Sequence, residues 1–167
     1  MAINYPVEKL RSRLTFGNTI LVGQQPSSNE PVEPLSALNP IWSGARLARM
    51  AGMTPAEFES FFLRVNVNYL GDEPFKVNQL TRARAKDIWV GFHETDRVIL
   101  LGAAVLKCFR GLVPASLFDS PFETGVTYSG MKIAVIPHPS GVNRYYNCPT
   151  NVMEVGLFLQ QVRRGEW

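Results

Sequence analysis

Two hydrophobic periods alternate along the chain. Thr19–Val22, the run RVNVNYL at Arg64–Leu70, DRVILL at Asp96–Leu101 and KIAVI from Lys132 are short, branched and apolar or alternating, and they predict strands. Between them the spacing turns helical. Residues 7 to 14 place Val7, Leu10 and Leu14 on one side, and Ser43 to Ala51 does the same with Leu47, Met50 and Ala51. Thr54-Pro55-Ala56-Glu57 has the form of a capping box with proline at the first helical position, leading into Phe58, Phe61 and Phe62 on one face. Thr81 to Phe92 turns Ala83, Ile88, Trp89 and Phe92 inward and Arg82, Arg84 and Lys86 outward. Ala103 to Phe109 and Asn151 to Arg164 (Val152, Val155, Leu159, Val162) complete the predicted helices.

Strands that alternate with helices imply a parallel sheet between two helical layers. The expected fold is therefore α/β: a three-layer α/β/α sandwich on a mainly parallel four-stranded sheet, with residues 1–167 as one domain. Residues 111 to 130 look irregular, with a short edge strand near Val126 to Tyr128. Ser27 to Pro40, with prolines at 31 and 34, reads as a long loop, and loops of that length in compact domains are often functional.

Composition narrows the classes. Hydrophobic residues are 46% and charged residues 19%, ordinary for a globular chain. The net charge of +3 permits contact with phosphate backbones without demanding it. No run of about 18 apolar residues exists, so no membrane span is expected. The opening MAINYPVEKLRSR lacks the apolar centre of a signal peptide, and the expected location is cytoplasmic. Two cysteines, Cys108 and Cys148, make neither a disulfide framework nor a metal cluster, so no metal and no cofactor is expected. There is no GxxxxGK[ST] loop, His93-Glu94 lacks the second histidine of HExxH, and GxSxG is absent.

The stretch richest in chemistry is Lys132 to Asn147, KIAVIPHPSGVNRYYN. An apolar strand stops at Pro137 and opens into a loop holding His138, one of only two histidines, with Ser140, Gly141, Asn143, Arg144 and two tyrosines. Ligands in parallel sheets bind at the carboxyl ends of strands. An imidazole, a guanidinium, amides and aromatics there suit a planar, hydrogen-bonding, anionic ligand such as a nucleotide.

Four pieces then occur in the order used by the uracil-DNA glycosylase superfamily. Gly23-Gln24-Gln25-Pro26-Ser27 resembles the water-activating and base-contacting loop, and Pro40-Ile41-Trp42-Ser43-Gly44 resembles the segment whose aromatic residue stacks on the flipped base. The strand RVNVN, with Asn66, is similar to the one whose asparagine reads the edge of uracil. HPSGVNR resembles the closing loop that contacts the base O2 and enters the minor groove. The resemblance spans roughly residues 18 to 163, and HPSGVNRYYN looks most like small phage-type members.

That resemblance implies DNA, single or double stranded, or a nucleobase or nucleotide as partner, with no membrane. It assigns His138, Gln25 and Gln24 to catalysis, and Trp42, Asn66, Gly23, Pro26 and Ser27 to the base. Ser140, Gly141, Val142, Asn143 and Arg144 fall to the DNA strand. A base must leave the stack to be read, and a donor from His138 would stabilise the departing base anion by ~3 kcal/mol, as an oxyanion donor does. Active members carry an aspartate, glutamate or asparagine in the first loop, whereas Gln24 and Gln25 stand here and neither is a general base. Glu30 and Glu33 lie in the same loop. Ser27 stands where the most active branch has a tyrosine, which leaves room for a 5-substituted pyrimidine. Too few cysteines exist for the iron–sulfur branch.

Three activities follow: hydrolysis of an N-glycosidic bond, recognition of a base without cleavage, or a transfer reaction on a modified pyrimidine in DNA. Each residue also has a plain structural reading. Trp42 alone suits a core aromatic, Asn66 a buried hydrogen-bonded amide, His138 a loop histidine, and Arg82, Arg84 and Lys86 a solvated helix face. Tyr145 and Tyr146 suit packing of the loop.

Overall fold

Among the described residues five strands form one sheet in the order β2-β1-β3-β5-β4. The computed structural model describes residues 5–26, 34–69, 71 and 73–167; Ser27, Glu30 and Glu33 lie outside these, as do Leu70 at the predicted end of the second strand and Asp72. The strands are β1 (Thr19–Gly23), β2 (Phe62–Asn66), β3 (Arg97–Leu101), β4 (Glu123–Tyr128) and β5 (Met131–Ile136). The first three and β5 are parallel neighbours, and β4 runs antiparallel to β5.

The four parallel strands fall where four were expected, except that β2 covers Phe62–Asn66 where the pattern predicted Arg64–Leu70, so Val67, Asn68 and Tyr69 lie beyond the strand. The fifth, β4, extends the predicted edge segment back to Glu123. Its side chains are half-buried or exposed, and its register shifts between Glu123 and Val126. An edge strand with a bulge has little apolar alternation, so its full length leaves no pattern in the sequence.

Among the described residues six α-helices flank the sheet: α1 (Tyr5–Ser12), α2 (Ser43–Met50), α3 (Pro55–Phe61), α4 (Gln79–Trp89), α5 (Ala103–Cys108) and α6 (Pro149–Arg163). Strand side chains point alternately to two faces. Ile20, Val22, Val98, Leu100, Ile133 and Val135 join Leu10, Ile88 and Val105 in one core, which carries α1, α4 and α5. Leu21, Ile99, Leu101 and Ile136 join Leu47, Phe58, Val155 and Leu159 in the other, beneath α2, α3 and α6. The three layers follow from apolar strands that need covering on both sides.

Three helical expectations shift. Leu14 is 92% exposed, because α1 ends at Ser12 and Arg13 instead turns in to a buried ion pair with Asp96. Phe62 belongs to β2, where it pairs with Thr19, so it leaves the face of α3; Phe61 stays partly exposed. Helix α4 starts at Gln79 behind an Asn78 cap that receives the Thr81 N–H, so Thr81, Ala85 and Ile88 are the buried positions and Ala83 is exposed. The Thr54–Glu57 capping box forms as expected, with both reciprocal bonds present.

Among the described residues, no helix is long and apolar enough to cross a membrane. No group of three or more His, Cys, Asp or Glu among them is placed to hold a metal ion.

Candidate functional site

Parallel register brings the strand ends into one row. Asn66 pairs with Gly23 across β1 and β2, and Leu101 pairs with Ile136 across β3 and β5. Beyond that row, on the side of α2, lies a cavity of about 230 Å³. Gln24, Gln25 and Pro26 wall it from β1, Trp42 from the start of α2, and His138 and Ser140 from the loop after β5. Six residues singled out in the sequence thus meet in one place. The volume lies below the roughly 300–1,000 Å³ of pockets for drug-sized ligands and suits a single ring.

His138 is fixed by three contacts. Gly102, at φ +94, gives α5 a start so close that a Cβ there would lie 2.9 Å from the His138 Cβ. Asn143 Nδ2 donates to the His138 carbonyl at 2.8 Å. The Ser140 N–H donates to His138 Nδ1 at 3.1 Å, which leaves the ring proton on Nε2. Burial pushes the imidazole pKa down from its ordinary value, so the ring is neutral at pH 7. The result is a neutral imidazole with one N–H to donate.

The closing loop is braced from below and free above. Asn143 Oδ1 accepts from the Tyr145 N–H at 3.1 Å. The Tyr146 hydroxyl donates to the Pro137 carbonyl at 2.6 Å, and its burial raises its pKa. Arg46 donates to the Ser140 carbonyl at 3.1 Å while its guanidinium lies 4.7 Å above the Tyr146 ring. Gly141, Val142 and Arg144 project outward, with Val142 90% exposed. Of the five residues expected to face DNA, Ser140 lines the cavity, Asn143 holds the loop, and these three form its exposed tip.

Asn66 is present but covered. It is only 3% exposed and is not on the cavity wall. Its Oδ1 has no hydrogen-bond partner among the described residues. A Cβ at Gly23 would lie 2.5 Å from this oxygen and 3.0 Å from Leu35 Cδ2, so the Asn66 amide and the Leu35 side chain share the space above Gly23. Leu35 takes the left-handed conformation, φ +51, unusual for a bulky residue. Glu59 holds the following turn by accepting from Ser36 Oγ at 3.1 Å and the Ala37 N–H at 2.7 Å. Glu59 is itself paired with Arg64 of β2, and Arg64 also donates to the Pro34 carbonyl at 3.1 Å.

The two glutamines differ. Gln25 Nε2 donates to the Glu73 carbonyl at 2.7 Å, and its Oε1 accepts from Asn68 Nδ2 at 3.3 Å. Both ends of that amide are engaged. Gln24 is half-buried on the cavity wall, and its side-chain amide makes no hydrogen bond among the described residues.

Sequence reasoning passed over Leu35, Arg46 and Asn68. Arg46 had a signal, since it stands four residues after Trp42, the N-cap of α2, and so on the same side of the helix start. Leu35 had none, because its position comes from a long loop. No protein-family model matches the chain, and no curated protein matches it significantly.

Proposed function

We propose that the chain is a DNA glycosylase-like protein that takes a flipped pyrimidine, uracil or a 5-substituted uracil, into this cavity and hydrolyses its N-glycosidic bond. The observation that carries the reading is His138. A neutral imidazole, its Nδ1 occupied by the Ser140 N–H, stands on the wall of a ring-sized cavity beside Trp42. Cleavage breaks C1′–N1 and leaves the electron pair on the base, where an Nε2–H donor at O2 stabilises the developing anion. Trp42 supplies a stacking face, and Arg144 with the exposed Val142 suits the phosphates and the gap of the duplex. Water attacks C1′ and gives its proton to solvent.

Recognition without cleavage is the second reading, and one observation favours it. No carboxylate lines the cavity among the described residues, and Gln25 is already bonded to Glu73 and Asn68. The free amide at Gln24 is then the group best placed to hold a water.

The test uses labelled oligonucleotides carrying uracil, 5-hydroxymethyluracil, a thymine mismatch or hypoxanthine, with alkali to reveal abasic sites and a gel shift on the same samples. Cleavage of one of them, lost in His138→Ala, supports the glycosylase and names its base. Binding without cleavage, with cleavage gained in Gln24→Asp, supports the recognition module. If the wild type neither binds nor cleaves any member of the panel, the proposal fails.

A further inference from the structure

A second cavity of about 360 Å³ opens on the other side of the β1–β2 strand ends, towards α4. It is larger than the first, and the two share one wall residue, Gln25. Asn68 and Tyr69 line it from the end of β2, Lys76 from the connector, and Asn78, Thr81 and Arg84 from the start of α4.

Arg84 is built into this wall. The sequence placed it on a solvated helix face, but it is half-buried. Its Nη1 donates to Asn68 Oδ1 at 2.6 Å, and its guanidinium lies 4.7 Å over the Tyr69 ring. The same Asn68 donates through Nδ2 to Gln25, so the guanidinium and the partition between the cavities belong to one hydrogen-bonded chain. Neither Arg84 nor Lys76 forms an ion pair among the described residues. The acidic wall residue, Glu73, is exposed and uses its backbone carbonyl, not its carboxylate, to hold Gln25.

A guanidinium oriented on one edge by an amide and on its face by a ring, with further N–H groups left over and no carboxylate paired with it among the described residues, is organised for an anion. The amino end of α4 adds a positive partial charge on the same wall. Lys76 adds a second, exposed cation. Carboxylate ligands would need only one of these features; a phosphate, with more oxygens and charge, uses all three.

We infer that the second cavity is a phosphate subsite for the nucleotide whose base occupies the first. It rests on the proposed base pocket for the identity of the ligand, and it adds where the backbone runs. The strand crosses the carboxyl edge of the sheet at Gln25, with base on one side and phosphate on the other. Gln25 then works as the divider between them.

The experiment titrates wild type, Arg84→Gln and Lys76→Gln with four probes: a single-stranded oligonucleotide carrying one deoxyuridine, deoxyuridine 5′-monophosphate, deoxyuridine and inorganic phosphate. Thermal melts confirm that each variant folds, and the exposed Lys76 provides a change that leaves the fold alone. The expected result is a loss of about tenfold or more in Arg84→Gln for phosphate-bearing probes, with deoxyuridine unaffected. For the oligonucleotide, the slope of log K against log salt falls by about 0.7 per lost contact. Loss on the monophosphate points to a terminal phosphate, and loss on the oligonucleotide alone to a phosphodiester. If deoxyuridine and uracil DNA fail to bind wild type but phosphate does so through Arg84, the subsite stands and the base pocket falls. Unchanged affinity of both folded variants for every phosphate-bearing probe overturns the subsite.

Discussion

Replacing Gly23 with alanine probes the packing at the end of β1, beside the Gln24–His138 cavity. The added Cβ would lie 2.5 Å from Asn66 Oδ1, and 3.0 and 3.2 Å from the two methyls of Leu35. The methyls sit at the end of a flexible side chain and can move by a few tenths of an ångström. The amide oxygen cannot, because Asn66 is buried and lies in register with Gly23 on the neighbouring strand. Overpacking of this kind costs typically about 1–3 kcal/mol, and an expected loss near 2 kcal/mol, of order 30-fold in the folding equilibrium, follows. Two other glycines calibrate it. At Gly44 the new Cβ would meet the backbone oxygens of Leu35 and Ser36 at 2.1 and 2.4 Å, so Gly44→Ala costs more, despite the helix propensity of alanine. At Gly141 nothing lies within 4 Å, and Gly141→Ala stays within roughly 0.5 kcal/mol. Urea unfolding at a fixed m-value gives the ranking, and the double mutant Gly23→Ala/Asn66→Ala recovers at least about 0.5 kcal/mol of the sum of the single losses. An additive cycle, or Gly23→Ala as stable as wild type, refutes the shared-space account.

Other consequences are more local. Burial holds the His138 pKa below the free value of about 6.5, so the unfolded chain binds more protons in that window. The His138 contribution is therefore full above about pH 6.5 and is lost as pH falls towards the lower folded pKa. The urea midpoint of the wild type should drop more steeply than that of His138→Asn below pH 6.5, and equal slopes would contradict this. Asp96 accepts from the Asn18 and His93 N–H groups at 3.1 and 2.7 Å and pairs with the buried Arg13. Asp96→Ala leaves that cation alone and costs about 3–5 kcal/mol, yet at the amino end of β3 it should spare ligand affinity in whatever fraction stays folded. Val142→Ser should change thermal stability little, because the side chain is 90% exposed, while weakening duplex binding more than single-strand binding. Equal loss on both substrates argues against a role for Val142 in the duplex gap.

The parallel core was legible because its strands carry continuous branched apolar runs, which only burial on both faces explains. Capping chemistry likewise placed α3, since Thr54 and Glu57 act within one turn. What failed did so for want of local signal. Phe62 fits a helical face and a strand start equally well, and only its pairing with Thr19 decides between them. Leu14 fits the stripe of α1, but the Arg13–Asp96 pair, formed with a residue far along the chain, ends the helix first. Edge strand β4 has too little buried surface to write a period into the sequence.

The site divides along the same line. His138, Trp42, Gln24 and Pro26 converge because each sits within a few residues of a strand or helix end, and parallel register aligns those ends. Gln25 and Asn66 carry polar groups whose partners arrive from elsewhere, so residue type alone could not assign their work. The connector after β2 delivers the Glu73 carbonyl and Asn68, which together use up the Gln25 amide and make it a strut. The long loop before α2 delivers Leu35 over Gly23, and the Asn66 oxygen is left there without a partner among the described residues. A buried carbonyl left unpaired costs about 1–3 kcal/mol, and a left-handed leucine about 1–2 kcal/mol more. Both costs fall at one point of the fold. For Asn66 to read a base edge, the Leu35 side chain has to move off Gly23 so that a ligand's N–H can reach the oxygen.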